Sequence, residues 1–245
     1  MNQDIDFVLE GWDYKPGMVQ ARLVQAADGR QVIQMRVDLG LLQIETTGRP
    51  DGTRPHGSAT YFEYLRQQAR VADRAGQSFV LSEEQCEEAD REFIQYYHRR
   101  ICWLALRNYG QAIADADHTL TFMSFVHDHS PSEDYTQAHE QYRSFVLFHR
   151  TQAAAALAVE GDDPEAALDA IRDGLEKLRA FFAAYGAEEH MEEDGMVQQL
   201  RKMDESLRKV HNIGATLQEQ LAEAVAKEQY ETAARLRDEL KKRKQ

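Results

Sequence analysis

The chain has 245 residues, 42% of them hydrophobic and 29% charged, with a formal net charge of −13. This composition can build one large domain or two smaller ones and is not that of a disordered chain. An acidic balance argues against an extended nucleic-acid surface, which needs a basic face to displace counterions from phosphates. No apolar run reaches the ~18 residues of a membrane span and no apolar leader segment is present, so a cytoplasmic protein with no membrane partner is expected. The two cysteines, Cys86 and Cys102, form no CxxC pair, and neither a disulfide framework nor a metal cage follows from them. Acidic residues gather between Glu160 and Asp194. Such a run reads as a solvated face, with a docking surface for a basic partner as the alternative.

The first third alternates with period two. Met18–Gln25 is predicted as a strand with Val19, Ala21 and Leu23 on one side, and Gln31–Leu39 as a second with Ile33, Met35, Val37 and Leu39. Between them Ala26-Ala27-Asp28-Gly29 carries an Asp-Gly hairpin signal, because glycine takes positive φ without steric cost. Gly40 then shifts the period, as a strand end or a bulge would, and Leu42 and Ile44 continue the apolar side in a third short strand. The glycine- and arginine-rich stretch Gly48–Gly57 ends the sheet as a turn-rich linker, or else offers arginine forks to an anion or peptide carboxylate. A meander over residues 1–57 buries little alone. A covering helix and its connector are expected next over residues 58–81, with Ser58 as cap, Tyr61, Phe62, Leu65, Ala69 and Ala72 inward, and the helix ending near Gly76.

Residues 82–186 read as helical hairpins. Ser82 and Gln85 make a capping box, followed by the stripe Cys86, Ala89, Phe93, Tyr97, Ile101 and Leu104. After Arg107-Asn108-Tyr109-Gly110 comes a helix with Ala112, Ile113, Ala116, Leu120 and Met123 inward. Ser130-Pro131-Ser132-Glu133 predicts a cap, a proline at the first position and a reciprocal glutamate, opening one long helix to Gly161 through Tyr135, Ala138, Tyr142, Phe145, His149, Ala153, Ala156 and Val159. Asp163 and Pro164 open the next, with Ala167, Leu168, Ile171, Leu175, Leu178 and Phe182 inward and Tyr185-Gly186 at its end. Asn108-Tyr109, Ala112-Ile113 and Leu120, and again Gly161-Asp162, Ala167-Leu168, Ile171 and Gly174-Leu175, resemble the tetratricopeptide motif in degenerate form. Small residues stand where helices would cross closely. Arg100 falls on the family's usual first-helix glycine, and Ala112 and Ala167 stand further apart than its repeat of about 34 residues. A plain four-helix bundle is the other reading.

From residue 194 the apolar positions Met196, Leu200, Met203, Leu207, Val210, Gly214, Leu217, Leu221 and Ala224 step by four and three, a heptad seam that only Gly214 interrupts, as a joint between two helices. Lys227-Glu228-Gln229 breaks it, and a second helix follows with Tyr230, Ala233, Ala234, Leu236 and Leu240. Ala233 and Ala234 let two backbones approach, Tyr230 is expected to pack at the turn, and Glu231 sits at the positive helix end. Lys241, Lys242, Arg243 and Lys244 sit at the negative one. Leu217, Leu221, Ala224-Val225, Glu228, Tyr230-Glu231, Ala233-Ala234, Leu236-Arg237-Asp238 and Leu240 resemble the UVR motif, the helical hairpin at the end of the UvrB excision-repair helicase and within UvrC. The resemblance implies partner binding, by pairing with another such hairpin or with a second copy. As the alternative it implies an accessory role in nucleotide excision repair or in a Clp-type quality-control system, since regulators of Clp chaperones and of a protein-arginine kinase carry the motif. On that basis Leu217, Leu221, Val225, Tyr230, Ala233, Ala234, Leu236 and Leu240 are expected to carry packing and partner contact, with Arg237 and Asp238 setting register through charge pairs.

Catalytic signals are thin. His127-Asp128-His129 is the best metal candidate, but histidines two apart diverge on a helix, and capping at a helix end is the plainer reading. Asp115, Asp117 and His118 are placed on a helix exterior, His98 has no acid near it in sequence, and His149 is read as a satisfied core histidine. Neither G-x-x-x-x-G-K-[ST] nor H-E-x-x-H nor G-x-S-x-G occurs. The expectation is an α+β, mostly helical chain: a small N-terminal antiparallel sheet, tetratricopeptide-like hairpins and a C-terminal coiled hairpin over 194–245. Its expected role is that of a non-catalytic adaptor for protein partners, with no cofactor, no metal and no catalytic residue assigned. A ligand-binding or enzymatic domain on the N-terminal sheet is the remaining alternative.

Overall fold

In the computed structural model, which describes residues 4–243, a short helix α1 (Asp6–Leu9) precedes β1 (Gln20–Gln25), β2 (Gln31–Val37) and β3 (Gly40–Glu45). The strands form an antiparallel sheet in the order β1-β2-β3. Its register sets Leu23 opposite Ile33 and Ile33 opposite Ile44, with Ala21, Met35 and Leu42 beside them, so the expected apolar side is one face. Gly29 takes φ +87 in the first turn, as the Asp-Gly signal requires. Two details differ. β1 begins at Gln20 rather than Met18, and β2 ends at Val37 rather than Leu39, so that Gly40 is no bulge but the first residue of β3. It pairs with Val37 across a two-residue turn, Asp38-Leu39, which leaves Leu39 93% exposed at the tip. The period slips because the turn takes two residues, not because the ladder gains one. On the opposite face Arg22 bonds Gln34 and the Val8 carbonyl (2.8 Å) and stacks over Trp12 (4.1 Å), so the segment before β1 lies over that side.

The helix after the sheet, α2 (Tyr61–Arg74), is capped by Thr60, whose hydroxyl accepts from the Glu63 amide; Ser58 is buried instead. α2 does not cover the sheet as expected. The helix against β1 and β2 is α3 (Glu83–Ala105), opened by the Ser82–Gln85 capping box, and it pairs with α4 (Tyr109–His129). Tyr61, Phe62 and Leu65 of α2 join Cys86, Ala89, Phe122 and Val126 in a core among these three helices.

The expected long helix after Ser130 is two. Ser132, not Ser130, caps α5 (Glu133–Glu140), and α6 (Arg143–Glu160) starts after a tight turn closed by the Tyr142 amide on the His139 carbonyl. The Ser130 hydroxyl donates to the Ser132 carbonyl and is spent there. α7 (Pro164–Ala184) opens on Asp163, whose carboxylate accepts from the Ala166 amide. A 3-10 segment (Glu188–Glu193) leads to α8 (Gly195–His211), capped by Asp194 and ended by Asn212 in the left-handed region. α9 (Leu217–Ala226) and α10 (Tyr230–Arg243) complete the fold. Lys244 and the side chains of Lys242 and Arg243 lie outside what is described. The chain divides into two compact units, 1–149 and 150–245, the division falling within α6. Among the described residues no helix is long and apolar enough to cross a membrane.

Charge is buried in the first unit where the periodicity expected apolar or solvent-facing positions. Glu92 is fully buried and accepts from the Tyr61 and Phe62 amides (2.6 and 3.1 Å), so it stabilises the positive end of α2. Arg49 meets Glu92, Glu88 and Asp51 in ion pairs that are close but not aligned as hydrogen bonds. Arg99 forks onto Asp115 (2.9 and 2.7 Å) and reaches the carbonyls of Glu45 and Gly48. Asp115, placed on a helix exterior by its pattern, is therefore interior. His118 stacks on Tyr96 at 3.8 Å and meets Glu92. The Gly48–Gly57 stretch is consequently no free linker, and its Arg49 is occupied by the protein's own carboxylates.

Candidate interaction hairpin

α9 and α10 are short, and helices of this length are marginal in water unless packed. Local signals set their ends. Thr216 and Glu219 form a capping box at the start of α9, each side chain accepting from the other's amide. Glu228 adopts φ +57 in the turn, and the Gln229 amide returns to the Ala224 carbonyl at 2.8 Å, which consumes a carbonyl left open at the helix end.

Ala224, Ala233 and Leu236 are buried between the two helices, with Leu217 and Leu221 packed against them. Alanines at the contact let the backbones approach, and Leu236 closes the space beneath. Burial of a leucine of this kind contributes about 1.5–3 kcal/mol. The expected residues thus split between two sides. Leu217, Leu221, Ala233 and Leu236 face inward and Leu240 is half-buried, whereas Val225, Ala234, Arg237 and Asp238 face solvent. Tyr230 does not pack at the turn, since 69% of it is exposed; with Val225, 53% exposed, it leaves an apolar surface at the turn end. Arg237 and Asp238 pair with each other on one helix rather than across helices (3.1 Å). A long side chain and its neighbour both point outward there, so they satisfy each other locally.

The open end of the hairpin is fixed to its own unit. Thr216 donates to Asp169 of α7 at 3.4 Å, and Arg172 of α7 donates to Gln218 at 2.6 Å. Burial raises the Asp169 carboxyl above its usual range, against the pull of Arg172 and Thr216. Arg208, at the end of α8, bonds Asp204 (2.7 Å), Glu219 and the Gly214 carbonyl, so it clasps the joint that Gly214 was expected to mark. Burial acts to raise the Glu219 carboxyl, but the Arg208 and Thr216 bonds outweigh it and hold it below its ordinary value. The heptad seam does not run through as one helix: Val197 and Leu200 are buried, but Val210 is exposed before the Asn212 turn.

The other sequence candidates belong to the first unit. His127 and His129 lie in the last turn of α4, and His129 meets the Phe79 carbonyl at 3.0 Å. Burial lowers the pKa of His98. His149 is buried, receives a long contact from Arg100 (3.4 Å), and has its pKa pushed down to about 4 by burial and then by that cation. Among the described residues no group of three or more His, Cys, Asp or Glu is arranged to hold a metal.

The UvrB/uvrC motif matches residues 215–245, which takes in the Thr216 cap, α9 and α10. The chain therefore carries a UVR motif, as the Leu217–Leu240 pattern indicated. No curated protein and no solved structure matches the chain.

Proposed function

We propose that this protein is a non-catalytic, cytoplasmic adaptor that binds protein partners, including a second copy of itself, through the hairpin of α9 and α10. The observation that carries the reading is the UVR motif over 215–245 in a hairpin whose base is anchored and whose turn end exposes Val225 and Tyr230. Tyrosine is among the residues that most often form the energetic centre of an interface, and Val225 would add apolar area beside it. The middle helices would hold a second partner. The match to a motif named for UvrB and UvrC supports a role beside the excision nucleases as the second reading, with Clp-type quality control as its counterpart. Light scattering on the full chain tests the proposal, with Val225→Lys and Tyr230→Lys combined as the variant. A concentration-dependent dimer that the variant loses is the expected result. A monomer at every concentration, which also fails to bind a UvrB-type hairpin added in trans, refutes it.

A further inference from the structure

A cavity of about 720 Å³ lies within the first unit, among α3, α4, α5 and the start of α6. Its volume is that of a small-molecule site. Phe93, Ile94, Tyr97, Met123, Phe145 and Val146 make most of its wall. One cation and one carboxylate stand in that wall, and they are far apart. Asp90 and Arg100 are ten residues apart on α3, roughly 15 Å at 1.5 Å per residue. Asp90 is half-exposed and already engaged, accepting from the Tyr135 hydroxyl at 2.8 Å and lying 3.0 Å from His139 Nε2.

Arg100 is the anomaly. It is 2% exposed, yet among the described residues it forms no ion pair. Its guanidinium donates to the Thr119 hydroxyl at 3.1 Å and, weakly, to His149 Nδ1 at 3.4 Å, both neutral partners. The buried carboxylate whose field reaches it, Asp115, has both oxygens taken by Arg99. Two buried guanidinium groups thus share one carboxylate, and a charge is left over. Buried charges are ordinarily paired, because desolvation without a counter-ion is expensive. Burial lowers the Arg100 pKa to about 10, which leaves it charged at neutral pH, while the depressed pKa of His149 keeps that ring neutral.

We propose that the cavity binds a small organic monocarboxylate with an extended apolar or aromatic body, its carboxylate completing the coordination of Arg100 beside Thr119. The apolar wall takes the body, and the guanidinium supplies the charge-assisted fork that suits a carboxylate. This site lies in the first unit and does not depend on the hairpin's function.

Calorimetric titration of the full chain with decanoate, 4-phenylbutyrate and decan-1-ol tests it. At least one acid should bind, and the alcohol should bind more weakly. Arg100→Met should reduce acid affinity on the order of tenfold or more, the value of a charged hydrogen bond, and leave the alcohol unchanged. Unliganded Arg100→Met should melt no lower than the wild type, because it removes an unpaired charge. Ile94→Trp, at an exposed position in the wall, should block both ligands and serves if Arg100→Met does not fold. Absence of binding by both acids overturns the proposal. So does acid binding that neither variant weakens, or an Arg100→Met protein that binds acid normally while melting lower, which would make Arg100 structural.

Discussion

Gly174 lies in α7 opposite Thr151 of α6, and an added Cβ there would sit 2.1 Å from Thr151 Oγ1, 2.4 Å from Cγ2 and 2.7 Å from Cβ. Carbon atoms in contact prefer about 3.5–4.0 Å. Rotating the threonine would move Oγ1 and Cγ2 but not its Cβ, so the two backbones must part by roughly 1 Å. In an exposed helix Gly→Ala gains about 1 kcal/mol from propensity. Here overpacking of about 1–3 kcal/mol opposes that gain and, with both backbones shifted, exceeds it. Gly174→Ala is therefore expected to destabilise the second unit by about 1–2 kcal/mol, moving its urea midpoint down by about 1 M at the usual slopes. Far-UV circular dichroism is the appropriate probe, because both tryptophans, Trp12 and Trp103, belong to the other unit. In a Thr151→Gly background the clashing atoms are gone, and the same substitution should become neutral or stabilising, a coupling of about 1–3 kcal/mol. A Gly174→Ala chain more stable than wild type, with no coupling to position 151, would refute the close crossing.

Two further outcomes follow from burial. Leu236→Ala should cost about 2–4 kcal/mol and raise amide exchange across 217–240 while leaving 61–129 protected; unchanged protection in the hairpin would contradict its core of Ala224, Ala233 and Leu236. His149 has its pKa lowered to about 4 from 6.5, first by burial and then by Arg100, so between those values the unfolded chain binds the extra proton. Stability is then full above about pH 6.5 and falls as pH drops toward 4, by ~1.4 kcal/mol per unit and ~3 kcal/mol in all. His98 and His139 slope the same way. Urea midpoints from pH 6.5 to 4.5 should therefore flatten in part in His149→Gln, and an unaltered slope would remove His149 from the account.

What the sequence disclosed was local. Ser82 with Gln85, Asp163 with Pro164, and the Asp-Gly turn each act within a few residues, and each stands where the pattern put it. Ser130 misled because Ser132 satisfies the same capping rule two residues on, and it is Ser132 whose hydroxyl takes the Tyr135 amide at the third helical position. The inward side of the UVR hairpin was legible, since alternation by three and four selects Leu217, Leu221, Ala224, Ala233 and Leu236. The fate of Val225 and Tyr230 was not, because an apolar residue beside such a stripe can close the turn or face outward. Glu92, Arg99, Arg100 and Asp115 were illegible for a stronger reason. A helical period assigns charge to solvent, and their partners, from Gly48 to His149, lie on other elements brought near only by the fold. The cavity beside Arg100 was hidden with them.

The pairing of Arg49 with Glu88 and Glu92, and of Arg99 with Asp115 and the Gly48 carbonyl, also constrains how this protein can change over time. A lineage that discarded the N-terminal 57 residues would leave Glu92 without Arg49, and Arg99 without the carbonyls of Glu45 and Gly48. Loss of the strands would thus be felt at once in the charge pairing of the helix behind them. A shortened descendant should show its mark first at position 92, as an uncharged replacement, while Arg99 is held in place by Asp115.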